Sequence, residues 1–377
     1  MSAPRFLQIH TLHSYTAALL NRDDTGLAKR LPYGGTFRTR ISSQCLKRHW
    51  RHADKDPHSL HGIDGAELAY RSRQLVTEMV IAPLKSRYAS EVVDALEPEL
   101  QKAVYGDKGE KKKSRQTLLF GAAEMAWLAS EAERLVADSA DAEDAKNKAA
   151  AWAKEMKDNI KVMRESCALP GGLTSALFGR MVTSDPAANI DAAVHVAHAF
   201  TVHPEEAEGD YFTAVDDLKN DDDDSGADTI QETEITSGLF YGYVVVDLPT
   251  LVKNCGFNRD MAAQVVHNLI YLIAEVSPGA KLGSTAPYGR AEFMLVEAGD
   301  RQPRSLSAAY RTPADHNLDK AVEALAVHLT RLDETYETGE MRRHLSVANV
   351  PVVASEKVSL KDLSAWGALQ VKAAPDA

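Results

Sequence analysis

The stretch from Arg38 to Arg51, R-T-R-I-S-S-Q-C-L-K-R-H-W-R, constrains the fold most, because it joins two hydrophobic periods back to back. Over Thr36 to Ile41, alternation puts Phe37, Thr39 and Ile41 on one face and Arg38 and Arg40 on the other, the pattern of a strand lying on a core. From Ser42 the period becomes helical. Ser42 and Ser43 offer caps, Gln44, Lys47, Arg48 and Arg51 fall within a stripe of roughly 100°, and Leu46, Trp50 and Ala53 lie opposite. A strand and a helix must therefore each bury one side and present cations and amides on the other, with a positive helix N-terminus between them.

Basic stripes on amphipathic helices are commonly solvated faces balanced by carboxylates. Here the carboxylates are missing: Thr25 to Ala53 contains seven Lys and Arg and no Asp or Glu, a local charge of +7. A surface so one-sided suits a polyanion. The chain as a whole carries −11, but Glu205 to Asp228 alone carries −10, with eleven acids against Lys219. The excess acid is concentrated in one segment and the excess base in another, so net charge does not exclude nucleic acid.

The 377 residues suffice for one elaborated domain or two to three smaller ones, and 44% hydrophobic with 26% charged content is that of a globular protein. No apolar run of signal-peptide or membrane-spanning length follows the start, so a cytoplasmic location without membrane contact is expected. Cys45, Cys167 and Cys255 are odd in number and far apart, which argues against disulfides and C-x-x-C metal sites.

Along the chain, a first strand is expected over Arg5 to His13, then a polar turn with Asn21, Arg22, Asp23 and Asp24. Ala-rich helical periodicity follows over Ala66 to Ile81, Glu91 to Val104, Ser114 to Val136 and Ala142 to Ala168, and another helix is expected over Asp191 to Thr201. Ser237 to Leu248 reads as a strand, Asn258 caps a helix reaching Val276, and Arg290 to Glu297 alternates as a strand. A charged helix near Leu318 to Tyr336, a Val-rich strand near Ser346 to Val353 and a helix near Leu360 to Leu369 complete the pattern. Without the helical insertion and the acidic segment, the order is strand, helix, strand, strand, helix, strand. That is the split βαβ, ferredoxin-like arrangement also used by RNA-recognition domains. The expected class is α+β.

No phosphate-binding G-x-x-x-x-G-K-[ST], no G-x-G-x-x-G after a strand, no G-x-S-x-G and no H-E-x-x-H occurs. His195, His198 and His203 form a conceivable metal face, disfavoured because no carboxylate or thiol sits at matching spacing. Asp23 and Asp24 could hold Mg²⁺ for phosphodiester cleavage, against an Asx-type turn as the simpler reading. Tyr241 and Tyr243 on one strand face either stack bases or cover another layer. Pro278-Gly279-Ala280-Lys281 with Gly283, Ser284 and Thr285 is a weak phosphate-cradle signal.

Several runs, in this order, closely resemble the CasC family, the backbone subunit of the type I-E CRISPR Cascade complex: Asn21-Arg22-Asp23-Asp24, Arg40-Ile41-Ser42-Ser43-Gln44 with Leu46-Lys47-Arg48, Gly179-Arg180-Met181, Phe212 to Leu218, and Pro278-Gly279-Ala280-Lys281. The resemblance implies a modified RNA-recognition palm with a helical fingers insertion and a thumb. The palm would take 1–59, 194–204 and 236–377, the fingers 60–193 and the acidic thumb 205–235. It implies a non-catalytic protein without metal or cofactor, assembling as copies along a CRISPR RNA with other Cascade subunits and presenting the guide to target DNA. Positions matching Arg22, Lys29, Arg40, Ser42, Gln44, Lys47, Arg51 and Lys281 would hold the guide backbone. Thr213 would fold over the guide on a neighbouring copy, and Arg180 and Met181 would lie near a displaced nucleotide. In the alternative, a metal-dependent ribonuclease would use Asp23 and Asp24.

Overall fold

The computed structural model describes residues 3–67, 69–106, 109, 113, 115, 117–155, 169, 171–181, 189–214 and 229–376, with backbone only at 212–214 and 229–231. The chain forms two compact units, one of Met1–Ser59, His195–Leu248 and Ala263–Asp376, the other of Leu60–Val194 and Pro249–Ala262.

The first unit is built on a mostly antiparallel sheet with helices on both faces, the expected α+β class. In chain order it comprises β1 (Phe6–Ala18), β2 (Arg30–Tyr33), β3 (Thr36–Ile41), α1 (Ser43–Arg51), β4 (Ala199–Thr201), β5 (Ala207–Ala214) and β6 (Thr229–Asp247). Then come α2 (Arg259–Glu275), β7 (Ala291–Gly299), α3 (Leu318–Tyr336), β8 (Met341–Ser346), β9 (Glu356–Lys357) and α4 (Leu360–Ala373). The strand order is β9-β8-β7-β1-β6-β4-β3-β2, with β5 forming a hairpin on β6. β1 lies between β6 and β7, antiparallel to both, and α2 connects those two, so the split crossover is present.

Central β1 is buried on both faces, which is why its first residues show no alternation. On one face Leu12, Tyr241, Phe293 and Leu295 pack with Leu306, Tyr310, Val322, Leu325 and Leu329. On the other, Leu7 meets Val266 and Ile270 of α2 beside Gly367 of α4, where an added Cβ would come within 2.4 Å of Ile270. Each such apolar side chain contributes about 1.5–3 kcal/mol on burial.

Two expected elements differ in this unit. Asp191 to Thr201 is not helical: Val194–Val196 and Ala199–Thr201 are strands, and Phe200 pairs with Arg40 and Tyr241. The alanines suggest a helix, but sheet partners far away in sequence override that weak propensity. The strand expected near Ser346 to Val353 lies earlier, as β8. Its inward Arg342 and His344 are charged or polar residues buried with partners, which hides the apolar alternation.

The second unit holds helices Ser90–Tyr105, Ala122–Ala137, Ala142–Lys154 and Gly172–Phe178 around a core that includes Val76, Val80, Leu96, Leu100, Leu128 and Trp152. The helices expected over Ala66 to Ile81 and Ser114 to Val136 each begin instead with a strand, Ala69–Ser72 paired to Leu118–Gly121. A short apolar run does not distinguish the two states. Here a close approach selects the strand, because a Cβ on Gly121 would sit 2.6 Å from Gly172 N. The helix expected to reach Ala168 is described as far as Lys154, and 156–168 lie outside the described residues.

Candidate nucleic-acid interface

The first unit knits the basic stretch together through backbone groups and the uncharged side chain of Asn21. Asn21 Oδ1 accepts the Ser42 N–H at 2.9 Å, the Lys29 N–H reaches Asn21 O at 3.0 Å, and the Arg40 N–H reaches Lys29 O at 2.8 Å. The turn carrying Arg22 and Lys29 is thus fixed against the β3–α1 junction. Asp23 holds this turn: its Oδ1 accepts the Thr25 N–H at 2.9 Å, the Thr25 hydroxyl at 2.8 Å and the Leu27 N–H at 3.0 Å. The Thr25 hydroxyl and these amides keep its carboxyl below the ordinary carboxylate value.

α1 forms as its pattern requires. Ser42 Oγ accepts the Cys45 N–H at 3.3 Å, so this buried hydroxyl serves as the N-cap. Trp50 is buried, Leu46 packs on a cluster with Ile41 and Phe240, and there is no acid in the first turn. Gln44 and Arg48 are exposed, while Lys47 and Arg51 are half-buried. Burial lowers the Lys47 ammonium from its ordinary value, as for a cation lying along the surface with its stem covered. The Cys45 thiol is pushed up to about 11 by burial, so it stays protonated and unreactive.

Not every cation of the stretch faces outward. Arg38 is fully buried and donates to the carbonyls of Tyr33 at 3.2 Å, Thr201 at 2.9 Å and Tyr310 at 3.0 Å, whereas Phe37 is 61% exposed. The alternation expected for β3 is inverted there. The β2–β3 turn presses on the segment at Tyr310, with Gly34 so close to Arg311 that a Cβ would overlap its carbonyl, and the buried carbonyls require a donor. Arg30 is held by Glu205 and Glu234. Arg40 donates to Arg30 O at 3.2 Å and lies 3.0 Å from His198 Nδ1.

Lys281 reaches the same neighbourhood from a distant part of the sequence. Its loop is fastened by the Ala280 N–H on Leu19 O at 2.8 Å and by the Gly279 N–H on His49 Nε2 of α1 at 3.4 Å. The Lys281 ammonium donates to the Thr233 hydroxyl on β6. The phosphate cradle expected after it is closed: the N–H groups and hydroxyls of Ser284 and Thr285 turn back on Lys281 O, and the Thr285 hydroxyl also lies 3.1 Å from Ala280 O.

Thr213 lies on β5, its backbone paired to Ile230, and the tip with Asp221 to Asp224 lies outside the described residues. In the second unit, Arg180 is buried with its guanidinium 2.6 Å from the Glu124 carboxylate, and Met181 is 79% exposed. Tyr241 does not offer a base platform. It is 1% exposed, with its hydroxyl bonded to His10 and to the Leu306 N–H, and Tyr243 stacks on His10 at 4.8 Å. The two tyrosines cover an inner layer.

The histidines expected to share a helix face do not meet as one metal site. His203 instead clusters with Glu206 and His316. His203 Nε2 accepts the Leu239 N–H at 3.1 Å, which puts its proton on Nδ1, 2.7 Å from Pro204 O. With one nitrogen already accepting and the other donating, the ring has no lone pair for a metal.

Residues 7–366 match the model of the CT1975-like protein family (Cas_CT1975). The chain belongs to that family. No curated protein sequence matches it. It is similar to a chain of a solved "CRISPR RNA-guided surveillance complex, pre-nicking", at 26% identity and a TM-score of 0.78, covering 97% of this chain and 100% of that one. A chain of another "CRISPR RNA-guided surveillance complex" is similar in fold, at 22% identity and a TM-score of 0.60 over 97% and 99% of the two chains. Among the described residues, no helix is long and apolar enough to cross a membrane.

Proposed function

We propose that this chain is the non-catalytic, guide-holding backbone subunit of a type I-E CRISPR surveillance complex. The observation that carries the reading is the joined surface of α1 and the Lys281 loop. Gln44, Lys47, Arg48 and Arg51 stand on one helix without an acid in its first turn, and His49 ties that helix to the loop of Lys281. Full-length similarity to a chain of an RNA-guided complex supports the same reading.

A protein that holds a guide of any sequence must grip sugar and phosphate and leave base edges open, because pairing with target DNA carries the sequence information. Cations, an amide and a helix N-terminus on a rigid strand–helix unit meet that requirement. Arg22, Lys29, Arg40, Gln44, Lys47, Arg51 and Lys281 take the backbone, and the buried Ser42 hydroxyl shapes the helix that presents them. Copies assemble in the cytoplasm along one CRISPR RNA beside the other subunits, each extending its β5–β6 hairpin, with Thr213, towards the guide on its neighbour. No bond is made or broken. The three hydrogen bonds on Asp23 Oδ1 favour a turn-forming role over metal-dependent cleavage.

The test is guide-RNA binding by Lys47→Ala with Arg51→Ala across salt concentrations. Loss of two phosphate contacts should weaken binding and flatten the salt slope by about 1.4, at roughly 0.7 per contact on a single strand. Unchanged affinity and slope would remove α1 from the interface. Cleavage of paired RNA in Mg²⁺ that disappears in Asp23→Ala or Asp24→Ala would replace this reading by the ribonuclease.

A further inference from the structure

The loop that delivers Lys281 carries an aromatic side chain that no part of the fold uses. Tyr288 is 77% exposed, and its ring and hydroxyl have no partner among the described residues. Its backbone, in contrast, is fixed. Ser277 Oγ donates to Gly289 O at 2.8 Å and accepts the Gly289 N–H at 2.9 Å, closing the loop at its base. The Tyr288 N–H reaches Ala286 O at 2.7 Å.

Both neighbours of Tyr288 are pressed inward. Pro287 packs on Gly279, where an added Cβ would come within 2.3 Å of the proline ring, and a Cβ on Gly289 would come within 2.8 Å of Ser14 O. Lys281 and Ala286 both hold positive φ, at 53° and 39°. The sequence thus accepts backbone strain and two close approaches to hold an aromatic residue outward on a stapled loop, which is costly unless the ring meets a ligand.

The surroundings favour a nucleobase over a protein surface. From Val276 to Tyr288 the sequence contains Lys281 and no Asp or Glu, while Arg290 just beyond is paired with Glu275 at 3.2 Å. The same loop touches α1 through Gly279 and His49, beside the basic stripe. An exposed aromatic among cations is the usual single-strand binding pair, in which the backbone is tracked by charge and a base by stacking.

Resting on the guide-holding reading above, we infer that Tyr288 is a stacking platform for one unpaired base of the RNA bound by α1 and Lys281. Every base has a π-face, so stacking is tolerant of sequence, as a guide-holding protein requires. A backbone fixed beforehand removes part of the ordering cost of the contact.

The experiment uses the full chain and a short single-stranded RNA carrying 2-aminopurine, following binding by anisotropy and stacking by 2-aminopurine fluorescence. Wild type should quench the probe. Tyr288→Phe should keep the quenching, while Tyr288→Ala should lose it and bind roughly 5- to 100-fold more weakly with an unchanged salt slope. Circular dichroism melts of the two variants should coincide, since most of the side chain is exposed. Equal quenching and affinity in Tyr288→Ala would overturn the inference while leaving the guide-holding reading intact. So would weakened self-association with unchanged quenching, which would place the ring between protein copies. A wild-type chain that binds no RNA would overturn both.

Discussion

His49 Nε2 accepts the Gly279 N–H at 3.4 Å, while its Nδ1 lies 2.8 Å from the Cys45 carbonyl. Both bonds form together only when the proton is on Nδ1, so the pair fixes one neutral tautomer. It also joins two parts of the chain separated by 230 positions into one basic surface. His49 touches no proposed ligand, and its role is to position Lys281.

Replacing His49 by Ala should therefore loosen the loop without removing a charge. Amide exchange at Gly279 and Ala280 should accelerate, stability should fall by about 1 kcal/mol, and guide affinity should drop while the salt slope stays unchanged. A flattened slope would mean that His49 contacts phosphate directly.

Arg38, although it lies in the same basic run, should behave as a core residue. Arg38→Ala leaves the carbonyls of Thr201 and Tyr310 without their buried donor. It should destabilise the fold by about 3 kcal/mol or more, and Arg38→Lys should recover part of that loss, since one ammonium does not span the guanidinium's positions. Urea unfolding measures both. Whatever folded protein remains should bind RNA with the wild-type salt slope.

Arg30 is already held by Glu205 and Glu234, so Arg30→Ala should leave the salt slope of RNA binding unchanged. Glu234→Gln should act in the opposite sense. Weakening this restraint lets Arg30 engage phosphate, steepening the slope by up to about 0.7 per copy. Titrations of both variants at three salt concentrations distinguish the cases.

Stability should fall with acid in two stages. Burial pushes the His13 imidazole down to about 4 and lowers that of His10 as well. Between the ordinary value of 6.5 and about 4, the unfolded chain therefore binds protons that the folded chain does not, and stability decreases as pH falls through that window. His13 alone should account for about 2 kcal/mol between pH 7.5 and 5, a loss that His13→Gln should abolish in unfolding midpoints. A further loss sets in as pH falls through the ordinary carboxylate value, where the unfolded chain takes up a proton that the folded chain does not. Burial alone would raise Glu297, but hydrogen bonds from Arg304 and His10 hold it well below that value, so its stabilisation is lost progressively from there downward.

The α+β class, the cap at Ser42 and the inward Trp50 were legible because helical and strand periods are written in residues two to four positions apart. The same alternation gave the wrong answer for Arg38 and Phe37 and left Tyr241 open between a base platform and an inner layer. What buries Arg38 and Tyr241 lies far away: Tyr310 covers Arg38, and Leu306 and His10 satisfy Tyr241. Local pattern says which side chains share a face. It does not say which layer comes to lie on that face.

By itself, the sequence determined the uncompensated basic run, the helix that displays it and the concentration of net negative charge in one segment. The tertiary structure alone decided which cations are spent inside. Arg38 satisfies buried carbonyls, Arg30 is neutralised by two carboxylates, and Lys281 is brought to the helix of Lys47 and Arg51 by a histidine. The reason is that a charge is assigned by its nearest partners after folding, and in a sheet whose central strand pairs with segments more than 200 positions away, those partners are not its neighbours in sequence.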